Sequence, residues 1–294
     1  MIKQNPFSVY DFLGYFIPGA LVIYVFLIIS NSNEFESISS VFTVIGNNKS
    51  LEIDNLLFFI ILSYGLGHLI NFLSSITIER YSYWKYDYPS KYLMNLNPYN
   101  NYWKGPLKIK IWKSLLFLIL LPISILDYLL GEFLNFKDFY TKRLDQFMIE
   151  MIKSKGVILL DKLGAPLTNS LRNYDFHRIF SHYVYENSKN HQAKMTNYVS
   201  LYGFLRSLSL ISVIFFWYSL YKLIVIYSQG ITFNEFYDEW KYLIYSFILL
   251  GGISYVFFMA FMKFYRRYTL EALMLIVIDP DLKNDILPKT ILEE

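Results

Sequence analysis

Four apolar stretches constrain this chain more than any other feature of its sequence. Each approaches the roughly 20 residues that an α-helix needs to cross the hydrocarbon core of a bilayer. A helix satisfies its own backbone hydrogen bonds there, which an isolated strand or loop cannot do. The sequence therefore predicts an all-α, polytopic membrane protein with four transmembrane helices in two hairpins, at residues 12–30, 56–76, 206–227 and 242–262.

A fifth apolar segment, 114–130, is ambiguous. It follows Lys113, contains Asp127 and has Pro122 near its centre. Two interpretations stay open: a re-entrant hairpin with Pro122 near its apex, or a helix buried within the cytoplasmic part. Because re-entrant backbone must be covered by protein, the first interpretation places this segment against the other helices.

The distribution of charge orients the predicted helices, because cytoplasmic loops carry the excess of Lys and Arg. The two predicted outer loops, 31–55 and 228–241, are each net negative. Residues 77–206 hold 18 of the 27 Lys and Arg residues, against 10 Asp and Glu. This pattern predicts cytoplasmic N- and C-termini. It disfavours a crossing by 114–130, which would place many basic residues outside.

These assignments divide the chain into four parts. They are a first transmembrane hairpin (1–76), a cytoplasmic helical region that includes 114–130 (77–205), a second transmembrane hairpin (206–262) and a cytoplasmic tail (263–294). Neither Pro nor Gly occurs from residue 176 to Tyr202. Since these two residues most often end a helix, one continuous helix is predicted from about residue 176 into the third span.

Composition excludes several classes of site. Charged residues make up 17% of the 294 residues, against about 25% in ordinary soluble domains. The chain has no cysteine, which excludes disulfides, thiolate metal sites, iron–sulfur clusters and cysteine nucleophiles. No zinc-protease, nucleophile-elbow, phosphate-loop or dinucleotide motif occurs. The sequence therefore predicts no catalytic residues, no metal and no cofactor.

The second span and its continuation, SYGLGHLINFLSSITIERY (63–81), carry the most informative polar residues. On a period of 3.6 residues, five side chains share one stripe: Tyr64, His68, Asn71, Ser75 and Glu79. Gly67 borders this stripe. Ionisable groups at membrane depth normally face a bundle interior or a water-filled cavity, and small residues favour close helix packing. Two interpretations stay open: a pore-lining, proton-sensitive face centred on His68, or a contact with a neighbouring helix.

Charged residues mark the predicted cytoplasmic edge of the spans: Glu79, Arg80, Arg206, Arg266 and Arg267. One interpretation pairs Glu79 and Arg80 with charges of the cytoplasmic part, such as Arg266 and Arg267. The other treats them only as the end of the helix at the membrane surface. The aromatic residues that follow in ERYSYWKYDYP (79–89) predict an interfacial aromatic belt.

In size and layout the chain resembles the small multi-span effectors of bacterial anti-phage systems, in which a cytoplasmic sensor commands membrane leakage. The resemblance implies a multi-pass protein of the bacterial inner membrane. Its partners would be the lipid bilayer, further copies of itself, and a cytoplasmic protein or nucleotide as trigger, but not double-stranded nucleic acid. The implied function is an oligomeric pore or membrane-perturbing unit controlled by the cytoplasmic region.

Two other functions fit the same sequence. A secondary transporter or ion-coupled carrier would use the two hairpins and place His68 and Asn71 in the transport path. A membrane enzyme acting on lipid or glycan ranks third, because the sequence contains no recognisable catalytic constellation.

Overall fold

A computed structural model describes residues 11–30, 53–97, 102–164, 175–228 and 237–282 of the chain. All regular structure in these residues is helical, which confirms the all-α part of the predicted fold class. The predicted outer loops, 31–55 and 228–241, lie mostly outside the described residues, as does the end of the predicted tail, 283–294.

The helices are numbered here in chain order. They are α1 (Ile17–Ser30), α2 (Ile53–Ser74), α3 (Arg80–Tyr86), α4 (Pro89–Leu93), α5 (Leu107–Ile119), α6 (Leu121–Leu126), α7 (Asp138–Thr141), α8 (Gln146–Lys162), α9 (Phe176–Asn187), α10 (Lys189–Ser228) and α11 (Tyr237–Ile278). Wider π-helical turns extend α1 at its start (Phe12–Phe16), join α2 to α3 (Ser75–Glu79) and follow α6 (Asp127–Phe133).

Three helical stretches within the described ranges are long and apolar enough to cross a membrane: Leu56–Leu93, Lys189–Ser228 and Lys241–Ile278. They contain the predicted second, third and fourth spans. The predicted first span contains a shorter apolar helical stretch, Phe12–Leu27. By length, the structure therefore provides three candidate spans, or four if the bent pair α5–α6 counts as one.

The ambiguous segment 114–130 lies in two helical arms, Leu107–Ile119 and Leu121–Phe133, which meet at an angle of 92°. Pro122 occupies the first turn of the second arm, where its missing N–H removes no helical hydrogen bond. The bend thus coincides with the predicted apex. Asp127 is fully buried on the inner side of the second arm, whereas Tyr128 and Leu129 remain exposed.

Helices α10 and α11 pack along each other and form the most extensive helix contact. Helices α1 and α2 approach so closely that their backbones touch. A Cβ atom at Gly67 would lie 1.8 Å from the carbonyl oxygen of Tyr15, and one at Gly19 would lie 1.7 Å from that of Ser63. Only glycine fits at these two positions, as in small-residue contacts between membrane helices.

The predicted continuous helix from residue 176 is wrong, because Ser188 separates α9 from α10. Side-chain amides satisfy the carbonyl groups at this end of α9. Asn187 Nδ2 donates to the Tyr183 carbonyl (2.8 Å), and Gln192 Nε2 donates to the Tyr185 carbonyl (2.6 Å). Such local side-chain hydrogen bonds compete with the helical ladder, so a helix ends here without Pro or Gly.

Candidate functional site

The continuous helix formed by α2, the π turn Ser75–Glu79 and α3 carries polar side chains towards two different neighbours. A π turn inserts one extra residue and so shifts the face on which the following side chains lie. Asn71 and Ser74 before the turn, and Glu79 within it, contact Arg206 of α10. Several of the side chains after it face the bent segment that contains Asp127.

The first buried group, the arginine cluster, consists of Asn71, Ser74, Glu79, Tyr83 and Arg206. Arg206 of α10 is only 7% exposed, and its guanidinium forms an ion pair with the Glu79 carboxylate. Its Nη2 donates to Asn71 Oδ1 (2.8 Å), and its Nε donates to Ser74 Oγ (3.1 Å). These additional hydrogen bonds are what a buried ion pair needs to offset the cost of desolvation.

Glu79 extends this cluster to α11. Its second carboxylate oxygen accepts a hydrogen bond from the Tyr83 hydroxyl, which lies 2.9 Å from the hydroxyl of Tyr265. The arginine cluster therefore connects α2, α10 and α11 through polar contacts between otherwise apolar helices.

The second buried group, the aspartate cluster, consists of Tyr81, Lys85, Tyr86, Asp127 and Tyr140. Three tyrosine hydroxyls donate to the Asp127 carboxylate, from Tyr81 (3.0 Å), Tyr86 (2.6 Å) and Tyr140 (2.7 Å). Lys85 Nζ lies 2.8 Å from the same carboxylate and 3.2 Å from that of Glu132. Both Asp127 oxygens thus have partners, and a lysine balances the charge.

Electrostatics keeps the tyrosines of this cluster in their donating form. Burial raises the pKa of the Tyr140 hydroxyl well above its usual value, and the neighbouring Asp127 charge raises that pKa further. A protonated hydroxyl is the state that can donate to a carboxylate. The buried Asp127 carboxylate is therefore surrounded by three hydroxyl donors and one lysine.

Gly131 leaves the space in which Asp127 and Tyr140 of this cluster meet Tyr255. A Cβ atom there would lie 2.6 Å from Asp127 Oδ1, 3.1 Å from the Tyr140 hydroxyl and 3.2 Å from the Tyr255 hydroxyl. Tyr255 belongs to α11, and its hydroxyl is 3.5 Å from that of Tyr140. The π-helical end of the bent segment is therefore seated against α11 through a position that has no room for a side chain.

The predicted polar stripe of α2 is divided between the inside and the outside of the fold. Asn71 and Glu79 meet Arg206, whereas His68 is exposed. The His68 ring stacks on Tyr15 with centroids 3.8 Å apart and planes 16° from parallel, and Tyr64 meets it edge-on at 4.6 Å. Neither His68 ring nitrogen has a hydrogen-bond partner within the described part of the chain.

The other residues of the predicted stripe have packing roles. Gly67 is buried against α1. Ser75 is half-buried, and its hydroxyl donates to the Phe72 carbonyl (2.7 Å). The buried side of α2 follows small and aliphatic residues instead: Ser63, Gly67, Ile70, Ser74 and Ile78.

The predicted edge charges do not form one group. Arg206 is the partner of Glu79, whereas Arg266 Nε donates to the Lys142 carbonyl (2.9 Å). Arg80 and Arg267 are exposed and lie over aromatic rings of their own helices, Trp84 at 5.9 Å and Phe264 at 5.5 Å.

Sequence reasoning missed the aspartate cluster. It assigned Tyr81 and Tyr86 to an interfacial aromatic belt, yet Tyr81 is 1% exposed and both side chains donate to Asp127. The available signal was Asp127 itself, because a carboxylate inside an apolar segment requires partners. The sequence did not single out Lys85 as that partner, since Lys113 and Lys137 lie closer to Asp127 along the chain.

Comparisons of the chain with family models, with curated proteins and with solved structures found no match.

Proposed function

We propose that the protein is an oligomeric, membrane-inserted effector that forms a pore or perturbs the bilayer, and that the outer face of α2 lines the path or the contact between copies. The observation that carries this proposal is His68, an exposed ionisable residue near the middle of the predicted second span (56–76), within a helical stretch long enough to span a membrane. Ionisable side chains at membrane depth face protein or water rather than lipid. A second copy, or water between copies, would satisfy the free ring nitrogens of His68.

The inner polar residues of α2 are already engaged within one copy. Asn71 and Glu79 are bound by Arg206, which ties α2 to α10. The polar side chain that remains available is His68, whose ring contacts Tyr15 and Tyr64 on the outside of the α1–α2 pair. This distribution favours a path between copies over a path through the centre of one copy.

The long helix α10 supports control from the predicted cytoplasmic region. It runs for 40 residues, which is about 60 Å at 1.5 Å per residue, and it carries Arg206. Near its start, Lys194 pairs with Glu271 of α11 at 2.7 Å. A trigger that alters this contact would be transmitted along one rigid element to the arginine cluster. The layout resembles that of bacterial anti-phage effectors, which act in the inner membrane.

Dye release from liposomes tests the proposal. The full chain is reconstituted with an entrapped fluorescent dye, and release is followed at several values between roughly pH 5 and 8. His68→Phe keeps a ring to stack on Tyr15 but removes both ring nitrogens, so we expect release to fall.

Leu69→Phe is the matched control, because Leu69 is the adjacent residue and is 50% exposed. We expect this variant to release dye as the unmodified chain does. Absence of release from the unmodified chain over the whole pH range would contradict the pore proposal. Equal release by both variants would show that His68 plays no part in the release of dye.

An ion-coupled carrier is the second candidate, favoured by the buried Asp127 and Lys85 pair on the bent segment and α3. Buried acid and base pairs within membrane proteins commonly mark proton or ion pathways. A carrier predicts flux that saturates with substrate and is lost in Asp127→Asn, without release of the large dye. Release of the dye therefore distinguishes a pore from a carrier.

A further inference from the structure

A cavity of about 850 Å³ opens beside the aspartate cluster. It lies between α3, the end of the bent segment and the short helix α7. Six charged side chains line it: Lys85, Glu132, Lys137, Asp138, Lys142 and Arg143. The volume is that of an ordinary small-molecule site, and the lining is far more charged than that of most such sites.

The charges around the cavity do not balance. Lys85 is paired with both Asp127 and Glu132. Within the described residues, Lys137, Lys142 and Arg143 have no carboxylate at ion-pair distance, and Asp138 has no cation. Three unpaired cations and one unpaired carboxylate therefore face the same space.

Apolar side chains flank these cations. Phe139 lines the cavity and is 74% exposed, and Phe133, at the end of the bent segment, is 81% exposed. Exposed aromatic side chains beside lysine and arginine are typical of the headgroup level of a bilayer. Arginine and lysine are also the side chains that bind phosphate groups in proteins.

We propose that Lys137, Lys142 and Arg143 bind a phosphate-bearing anion in this cavity. The phosphate can belong to the headgroup of an anionic lipid or to a free phosphate compound from the cytoplasm, since both present the same group to the three cations. The proposal concerns binding alone and does not depend on pore formation.

Two binding measurements on the full chain in detergent distinguish the sources. Native mass spectrometry follows retention of phosphatidylglycerol, and isothermal titration calorimetry follows binding of inorganic pyrophosphate. We expect binding in at least one measurement. Each cation near a phosphate contributes about 1 kcal/mol, or roughly fivefold in affinity, so K137Q/K142Q/R143Q should bind on the order of 100-fold more weakly.

The variant K104Q/K108Q/K110Q is the matched control, because it removes the same charge from three exposed lysines outside the cavity. We expect it to bind within a few-fold of the unmodified chain. The single variant R143Q, at an exposed position in the loop after α7, should show a roughly fivefold loss even if the triple variant folds poorly. Binding of neither probe, or equal loss in the two triple variants, would overturn the proposal.

Discussion

The guanidinium of Arg206 and the carboxylate of Glu79 form an ion pair between α10 and the end of the π turn that follows α2. Both side chains are largely buried, with 9% and 18% of their side-chain surface exposed. The same guanidinium holds Asn71 and Ser74 on the preceding turn of α2. The Arg206 side chain therefore fixes how α2 is rotated about its axis and how far it is shifted along α10.

Replacing Arg206 by glutamine should destabilise the protein strongly, because Glu79 would be left as an uncompensated buried charge. Removing one member of a buried ion pair costs about 3–5 kcal/mol. The free energy of unfolding is measured by denaturant titration in detergent. Arg267→Gln, at an exposed arginine of α11, should change it by no more than about 0.5 kcal/mol.

The double variant Glu79→Gln/Arg206→Gln provides a second check. It removes both charges, so it should be more stable than Arg206→Gln alone. If the two single losses simply add, the ion pair does not stabilise this contact.

Replacing Asp127 by asparagine should also destabilise the protein, by about 1–3 kcal/mol. The amide cannot accept three tyrosine hydroxyls and a lysine as the carboxylate does, and Lys85 would keep only Glu132 as an ionic partner. Asp138→Asn is the control, since Asp138 is exposed. Equal effects of the two substitutions on the free energy of unfolding would show that the hydrogen bonds to Asp127 contribute nothing measurable.

Two glycines only two residues apart on α2 should respond oppositely to alanine. A Cβ at Gly67 would overlap the Tyr15 carbonyl group in the π turn that begins α1, whereas one at Gly65 would meet nothing within 4 Å. Gly67→Ala should lower the free energy of unfolding by about 1–3 kcal/mol through overpacking. Gly65→Ala should leave it unchanged or raise it by up to about 1 kcal/mol, since alanine favours helix. Similar stabilities for the two variants would contradict the close approach of α1 and α2.

The apolar pattern was sufficient to predict the helical class and the positions of the long helices, because hydrophobic length and periodicity are properties of local sequence. It did not identify the partner of Glu79. Arg206 lies 127 positions further along the chain. By charge alone, Arg266 and Arg267 were equally suitable ionic partners for Glu79. The choice depends on how α2 and α10 pack, which a single sequence does not encode in any short pattern.

The position of His68 shows a second reason why the contacts of α2 could not be predicted from the sequence. Helical periodicity placed it on one stripe with Asn71 and Glu79, but the packed side of α2 is set by the small residues Gly67 and Ser74. Close backbone approach thus outweighed polarity in deciding which side of α2 faces its neighbours. Polarity alone predicts that a side chain needs a partner, not where that partner lies.

His177 should make stability depend on pH. Its Nε2 atom is shielded from solvent and has no hydrogen-bond partner within the described part of the chain, and burial lowers its pKa to about 4. In the unfolded chain its pKa would be about 6.5. Below that pH the unfolded chain binds a proton that the folded chain excludes, so the free energy of unfolding should fall as pH decreases from about 6.5 to 4 and stay level above that range.

His177→Phe should remove the contribution of His177 to this dependence. Its ring can keep the edge contact that His177 makes with Tyr268, whose centroid is 6.0 Å away, but it cannot bind a proton. His182→Phe is the control, because His182 lies five residues along the same helix and is exposed. Thermal unfolding in detergent at several pH values should then show a decline in melting temperature below neutrality for the unmodified chain and for His182→Phe. In His177→Phe the decline should be smaller, because the remaining groups titrate as before. A decline of the same size in all three proteins would show that His177 is not held neutral in the folded state.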